Sequence, residues 1–352
     1  MQKEIIGRGK ITKLKDVLQE IDAKNIIMFH GKRPFDKNKK ILNLLLSDYD
    51  TTFYSDFNPN PKYEQIQEAV GKLKDIAPDA IIAFGGGSVI DFAKAFRFYS
   101  DLAVPLIAIP TTSGTGSEAT QFAVVYINGK KTSLDNVSIL PDYAIIDSQF
   151  SEQAPQYIKA CSAIDAYCQA IESYWSVLST GESQNYARQA IILAKHNIEK
   201  YVASSDKKCA EKMAIASYSS GKAINISRTT VAHALSYTIT TQYGIPHGHA
   251  VALSMANLFV ENSKVNDTNC NDRRGPDFVQ KQLNDILNLL KLKNAYDFAD
   301  YWYKLMSTLG LEYETNKLGI KNLHGIIENI NVQRMANNPV KLNVNILESL
   351  FR

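Results

Sequence analysis

Short apolar runs and longer amphipathic stretches alternate through the first 150 residues. Asn25-Ile26-Ile27-Met28-Phe29 reads as a buried strand, apolar from Ile26 onward, and Asp50 to Tyr54 forms a second strand-like segment. From Tyr63 to Ile76 the apolar residues recur at helical spacing. Asp79-Ala80-Ile81-Ile82-Ala83-Phe84 then runs into three glycines, Leu106 to Ile109 stops at Pro110, and Ala144 to Asp147 closes the region. Apolar strands separated by helices predict a mostly parallel sheet covered on both faces.

After Phe150 the β-type runs fade. Helical spacing takes over at 158–176, 183–201, 210–224 and most of 275–350. The pattern predicts an α/β domain over 1–150 and an all-helical domain over 151–352. The polar, turn-rich stretch from Asn262 to Pro276 is expected to be an exposed loop.

Composition narrows the classes. A chain of 352 residues with 45% hydrophobic content suits two globular domains. A net charge of +3 gives no case for nucleic acid or a charged membrane surface as partner. The longest apolar runs, such as Leu102 to Pro110, are too short to span a bilayer. Cys161, Cys168, Cys209 and Cys270 are scattered without CxxC spacing, which suits free thiols in a reducing compartment. With no apolar leader in MQKEIIGRGK, a cytoplasmic location is expected.

Two glycine-rich segments follow strands. Gly85, Gly86, Gly87 and Ser88 lie between an apolar strand and an amphipathic helix that carries Asp91. Glycines let the backbone approach a pyrophosphate, and a helix N-terminus offers free N–H groups. Thr111, Thr112, Ser113, Thr115 and Ser117 occupy a second segment, dense in hydroxyls, after the next strand. Either could be a bare turn. Two in succession at strand ends point to a dinucleotide such as NADPH or NADH.

A third pattern concerns metal. Asp165, Gln169 and Glu172 recur at i, i+4 and i+7 on one helical face, and His233, His247 and His249 fall within 17 residues. Imidazole plus carboxylate suits Fe²⁺ or Zn²⁺, and an open coordination position would polarise a carbonyl. A polar helix face with ordinary turn and core histidines explains the same residues, so both readings stand at this point.

Taken together, GGGSVIDFAKA (85–95), PTTSGTGSEAT (110–120), LPDYAIID (140–147), AIDAYCQAIESY (163–174), HALSYTITTQYGIPHGHAVAL (233–253) and RMANNP (334–339) resemble the iron-containing, group III alcohol dehydrogenases. The resemblance covers nearly the whole chain. It implies a Rossmann-like dinucleotide domain, an all-helical domain of dehydroquinate synthase-like architecture, and an active site between them. By resemblance the metal ligands fall on Asp165, His233 and His247, with Gln169 where the family carries a fourth histidine. Gln169 would ligate through oxygen, hold a bound water, or leave a weaker site. Tyr237 stands where relatives often have a further histidine, so His249, Tyr237, the cofactor ribose or water would deliver the proton.

CQAIESYWSV and INISRTTVAHALSY resemble the family's phosphonoacetaldehyde-reducing branch, whose product is 2-hydroxyethylphosphonate. That substrate would need cationic and polar donors, and Arg228, Lys222 and Asn225 precede His233. They are equally compatible with surface charge or cofactor phosphate. Phe29-His30-Gly31-Lys32 carries no carboxylate before Asp36, which permits NADPH with His30 or Lys32 at the 2′-phosphate. Three rival functions stand: a dehydroquinate synthase-like lyase, a metal-poor cofactor-binding protein, and a dehydrogenase for a non-phosphonate aldehyde or diol. A homodimer in which Lys3 to Gly7 pairs across an interface is compatible with the sequence.

Overall fold

The apolar runs become an all-parallel, six-stranded sheet in the computed structural model, which describes residues 2–352 apart from 129, 205, 329 and 331. The chain divides into one unit ending at Ala154 and another from Pro155 to Arg352. In the first unit β1 (Lys3–Ile6), α1 (Leu14–Glu20), β2 (Asn25–His30), α2 (Lys32–Leu45), β3 (Asp50–Tyr54), α3 (Tyr63–Leu73), β4 (Ala80–Gly85), α4 (Gly87–Tyr99) and β5 (Leu106–Pro110) follow in order. Then come β6 (Phe122–Ile127), β7 (Lys130–Asp135), β8 (Tyr143–Ile146) and α5 (Ser148–Ser151).

Strand order in the large sheet is β1-β8-β5-β4-β2-β3. Pleating sends Ile26, Met28, Ile82, Phe84, Ile107 and Ile109 to one face, against Leu14, Leu18 and Leu42 of α1 and α2. The intervening Ile27, Phe29, Ile81, Ala83, Leu106 and Ala108 meet Ile66 of α3 and Phe92 and Phe96 of α4. Each large side chain so buried contributes about 1.5–3 kcal/mol. The strand order reverses direction between β2 and β4, where ligands of open α/β sheets bind at the carboxyl ends.

One feature departs from the sequence reading. β6 and β7 pair antiparallel as a separate ribbon, with Val125 joining the α3–α4 core. Lys3–Ile6, the segment weighed above for a dimer interface, pairs with Tyr143–Ile146 of its own unit and forms the sheet's border, an edge position compatible with that expectation.

The second unit is helical: α6 (Gln156–Trp175), α7 (Gly181–Ala203), α8 (Lys207–Ser227), α9 (Val231–Tyr243), α10 (His247–Asn262), α11 (Pro276–Leu290) and α12 (Ala295–Thr308). The short helices α13 (Leu323–Glu328), α14 (Val332–Ala336) and α15 (Val344–Ser349) follow. α6 is buried almost all round from Lys159 to Trp175. Polar groups inside such a helix are costly unless partnered, so Asp165, Gln169 and Glu172 each call for an explanation. The 263–275 connection is a loop as expected but not simply exposed: Asp272 is buried, pairs with Arg274, and the neighbouring Asn271 N–H donates to Pro339 O at 2.8 Å. No helix among the described residues is long and apolar enough to cross a membrane.

Candidate active site

Three helices of the second unit converge on one group of donors. Asp165 of α6, His233 of α9 and His247 of α10 each offer an atom, all lying within 4.8 Å of one another. His233 Nε2 is 3.3 Å and His247 Nε2 4.0 Å from Asp165 Oδ1. His233 Nε2 is buried and has no hydrogen-bond partner among the described residues. Two donors held about 2.1 Å from one ion and about 100° apart lie roughly 3.2 Å from each other. The 3.3 Å pair therefore has the spacing of a shared cation.

The neighbouring residues fix how the imidazoles point. Glu172, two turns after Asp165, is fully buried at the start of α9. Its Oε1 accepts from Thr230 N–H (3.1 Å), Thr230 Oγ1 (2.6 Å) and Ala232 N–H (3.0 Å), and its Oε2 pairs with His233 Nδ1. A carboxylate at a helix N-terminus is favoured by the free N–H groups there. With Nδ1–H given to Glu172, Nε2 is left to face Asp165. Burial works against the charged Glu172 carboxylate, yet His233 and Thr230 hold its pKa below the usual value. Burial likewise lowers the His233 pKa, but Glu172 and Asp165 outweigh it and the net direction is upward. At His247 the orienting partner is Ser236 Oγ, 3.2 Å from Nδ1.

Gly248 makes the convergence geometrically feasible. A Cβ there would stand 1.9 Å from Cys161 O and 2.7 Å from Asp165 Cβ, so only glycine lets α10 begin against α6. The sequence reading missed it because the constraint arises between helices distant in the chain.

The other expected site residues are placed unequally. Gln169 is buried one turn beyond Asp165, with its Oε1 accepting from Ser220 Oγ at 3.2 Å. Tyr237 stacks on His247 at 6.0 Å between ring centres. His249 is drawn off elsewhere: Nδ1 meets Tyr157 Oη at 3.0 Å and Nε2 meets Glu312 O at 2.6 Å. Burial lowers its pKa. Both nitrogens are engaged, which argues against the proton-donor role expected of it.

Of the three anticipated substrate groups, two turn away. Ser220 and Ser227 mark the side of α8 that meets α6, through Gln169 and Ser173. At 100° per residue, Lys222 and Asn225 fall on the far side. Lys222 Nζ indeed lies 4.5 Å over the Tyr186 ring on α7. Arg228 ends α8 at φ 61°, ψ 179°, a conformation costing a non-glycine residue of order 1–3 kcal/mol. A further cation, assigned no role from sequence, stands close by: Arg334 of α14 donates to Thr229 Oγ1, and its Cζ is 5.6 Å from the Tyr237 ring centre.

In the first unit the two glycine-rich segments pack on each other at the carboxyl ends of the paired strands β4 and β5. Thr111 N–H donates to Gly85 O at 2.9 Å. Gly86 precedes α4, and Gly87 opens it with Thr115 Oγ1 2.5 Å from where a Cβ would be. Thr112 is half-buried and Ser113 Oγ is buried with no hydrogen-bond partner among the described residues. Ser88 Oγ accepts from Asn60 N–H at 3.5 Å. Asp91 and Ser117 are taken up inside the fold: Ser117 Oγ donates to Asp91 Oδ1, and Val124 N–H donates to Oδ2 at 3.0 Å. They shape the segment rather than face a cofactor. His30 is buried under Phe35, ring centres 3.9 Å apart, and burial lowers its pKa, so it is a poor phosphate partner; Lys32 is exposed.

Lys94, also missed from sequence, anchors this segment. Its fully buried ammonium donates to Ser117 O, to Thr120 O at 2.7 Å and to Phe122 O at 3.0 Å, and burial pulls its pKa down to about 8. Lys94→Met should strand those carbonyls and cost about 3 kcal/mol, read as a lower melting temperature in scanning calorimetry. An unchanged melting temperature would show the segment holds itself.

Residues 2–148 match the profile "Iron-containing alcohol dehydrogenase", and 159–352 match that of the family's C-terminal part. A phosphonoacetaldehyde reductase of Streptomyces viridochromogenes is 31% identical over 242 residues, 61% of each chain. Long-chain-alcohol dehydrogenase 1 of Geobacillus thermodenitrificans is 31% identical over 273 residues, 70% of this chain and 69% of its own. The first of these alignments thus spans about three-fifths of the relative's length. In fold, the chain is similar to a sulfoacetaldehyde reductase of Bifidobacterium kashiwanohense in complex with NAD⁺, with TM-score 0.87, 24% identity and 99% and 96% of the two chains covered.

Proposed function

Because this chain belongs to the iron-containing alcohol dehydrogenase family, we propose that it catalyses metal-assisted hydride transfer between NADPH or NADH and a small aldehyde or alcohol. The observation that carries this reading is the convergence of Asp165, His233 and His247 within 4.8 Å. The phosphonoacetaldehyde reductase relative makes phosphonoacetaldehyde, reduced to 2-hydroxyethylphosphonate, the leading candidate substrate.

The three donors fit Fe²⁺, with Zn²⁺ as the alternative, and such an ion would supply Lewis-acid polarisation of the aldehyde oxygen. Gln169, with its oxygen turned to Ser220, would add no charge to the set. Glu172 and Ser236 hold the two imidazoles so that each presents Nε2. Tyr237, against His247, is the side chain best placed to pass a proton to the developing alkoxide, since both His249 nitrogens are engaged. Segments 85–88 and 111–115 are the proposed seat of the cofactor pyrophosphate. Lys32, exposed in the first turn of α2, would favour a 2′-phosphate and hence NADPH.

The test follows reduced-nicotinamide absorbance with NADPH or NADH and Fe²⁺ or Zn²⁺, offering phosphonoacetaldehyde, sulfoacetaldehyde, acetaldehyde and propanal. Lasting oxidation that chelation abolishes and added metal restores is the expected result. Comparable rates on every aldehyde would remove the phosphonate assignment. No net oxidation by the metal-loaded protein would overturn the dehydrogenase reading in favour of a lyase.

A further inference from the structure

We propose that Trp175 and Thr230 are positioning residues for the candidate metal centre, holding the Glu172 carboxylate in the orientation that turns His233 Nε2 toward Asp165. The inference rests on the reductase reading and names what keeps one of its metal ligands aimed.

Thr230 is the first clue. It stands at the N-cap of α9, and threonine is among the residues that cap a helix well through their own side chain. Its hydroxyl makes no such bond. It turns instead to α6 and donates to Glu172 Oε1 at 2.6 Å. Glu172 takes over the cap by accepting the Thr230 and Ala232 N–H groups, at 3.1 and 3.0 Å. A threonine that leaves its own helix uncapped has its hydroxyl committed to the carboxylate.

Trp175 sets the direction of that hydroxyl. An indole N–H can only donate, and Trp175 Nε1 lies 3.1 Å from Thr230 Oγ1. The threonine oxygen therefore accepts from the indole, and its single proton is left for Glu172. Trp175, packed on Phe259 with ring centres 5.7 Å apart, is fully buried, as are Thr230 and Glu172, so bulk solvent does not compete for these bonds. Glu172 Oε1 then holds three donors, and Oε2 remains for His233 Nδ1. With Nδ1–H tied in this way, the imidazole lone pair that a cation would take is the one on Nε2, 3.3 Å from Asp165 Oδ1.

The bonds thus run from the indole at the end of α6 to the cap residue of α9, back to α6 at Glu172, and only then to the imidazole. They make the tautomer of His233 a property of the fold before any cation arrives. Valine at position 230 would fill nearly the same volume without the hydroxyl. It would leave Glu172 Oε1 with two backbone donors and strand the indole N–H.

The experiment compares the parent with T230V, T230S, W175F and the T230V/W175F pair. Dissociation constants for Fe²⁺ and Zn²⁺ come from competition with a chelator, and melting temperatures from calorimetry of the metal-free proteins. The Kd should rise about 10–100-fold in T230V, while T230S, which keeps the hydroxyl, should stay within about twofold of the parent. W175F should raise the Kd about threefold, because Thr230 keeps its bond to Glu172 but loses the donor that directs it. The pair separates aiming from packing. W175F should lower the melting temperature less in the T230V background than in the parent, since the stranded N–H goes with it, yet the Kd should stay as high as in T230V. A Kd unmoved in T230V or in W175F, or raised equally by T230S, overturns the proposal. So does a Kd in the pair that recovers along with the melting temperature. Should the metal-loaded parent turn over no aldehyde, the reductase reading fails while the Kd series still decides the positioning role.

Discussion

Gly248→Ala should empty the candidate metal centre. The new methyl carbon would sit 1.9 Å from Cys161 O, a backbone atom of the buried helix α6 with no flexible side chain to yield. The start of α10 would have to move by an ångström or more, carrying His247 away from Asp165, already 4.0 Å distant. Disturbing the supports of a metal site costs about 10–100-fold in affinity or activity, and here a ligand itself is displaced. A loss of more than about 100-fold in aldehyde reduction is expected, with the bound metal stripped by dialysis and quantified by elemental analysis. Gly181→Ala is the control, because nothing lies within 4 Å of its added carbon. Full metal content in the Gly248→Ala protein would show that α10 shifts without opening the site.

Glu172→Gln tests orientation instead of space. Four donors aim at this carboxylate: Thr230 N–H, Thr230 Oγ1, Ala232 N–H and His233 Nδ1. An amide offers one acceptor oxygen, so its NH₂ must face at least one donor in a buried place, costing about 1–3 kcal/mol. The His233 tautomer then loses its anchor. Metal affinity and kcat/KM should both fall about 10–100-fold, measured by competition with a chelator and by nicotinamide absorbance. If affinity holds while the melting temperature drops, Glu172 would be a helix cap for α9 and no more.

The sequence made much of the fold legible where one element decides its own form. Continuous apolar runs at 26–29 and 81–84 became central strands, and long 3.6-residue periodicity marked α6 to α8. The β6–β7 ribbon went unread although Asn128-Gly129, a common hairpin turn, stands between two β-rich runs. At the site, residue type suggested metal, but joining positions 165, 233 and 247 required resemblance, since their meeting depends on three helices packing together. The least legible residues act through distant partners. Lys94 reads as an ordinary polar helix position until Ser117, Thr120 and Phe122 surround it. Closeness to His233 along the chain likewise says nothing of which side of α8 Lys222 and Asn225 occupy.

The candidate groups are divided by unit. The segments proposed for the nucleotide, 85–88 and 111–115, belong entirely to the first, whereas Asp165, His233 and His247 belong to the second. Each set has a support in its own unit, Lys94 under the first and Glu172 behind His233 in the second. Substitutions in the segments proposed for the nicotinamide therefore need not disturb the residues proposed to meet the aldehyde. Under that reading, cofactor preference and substrate preference are separable by substitution, because the two sets of residues share no unit.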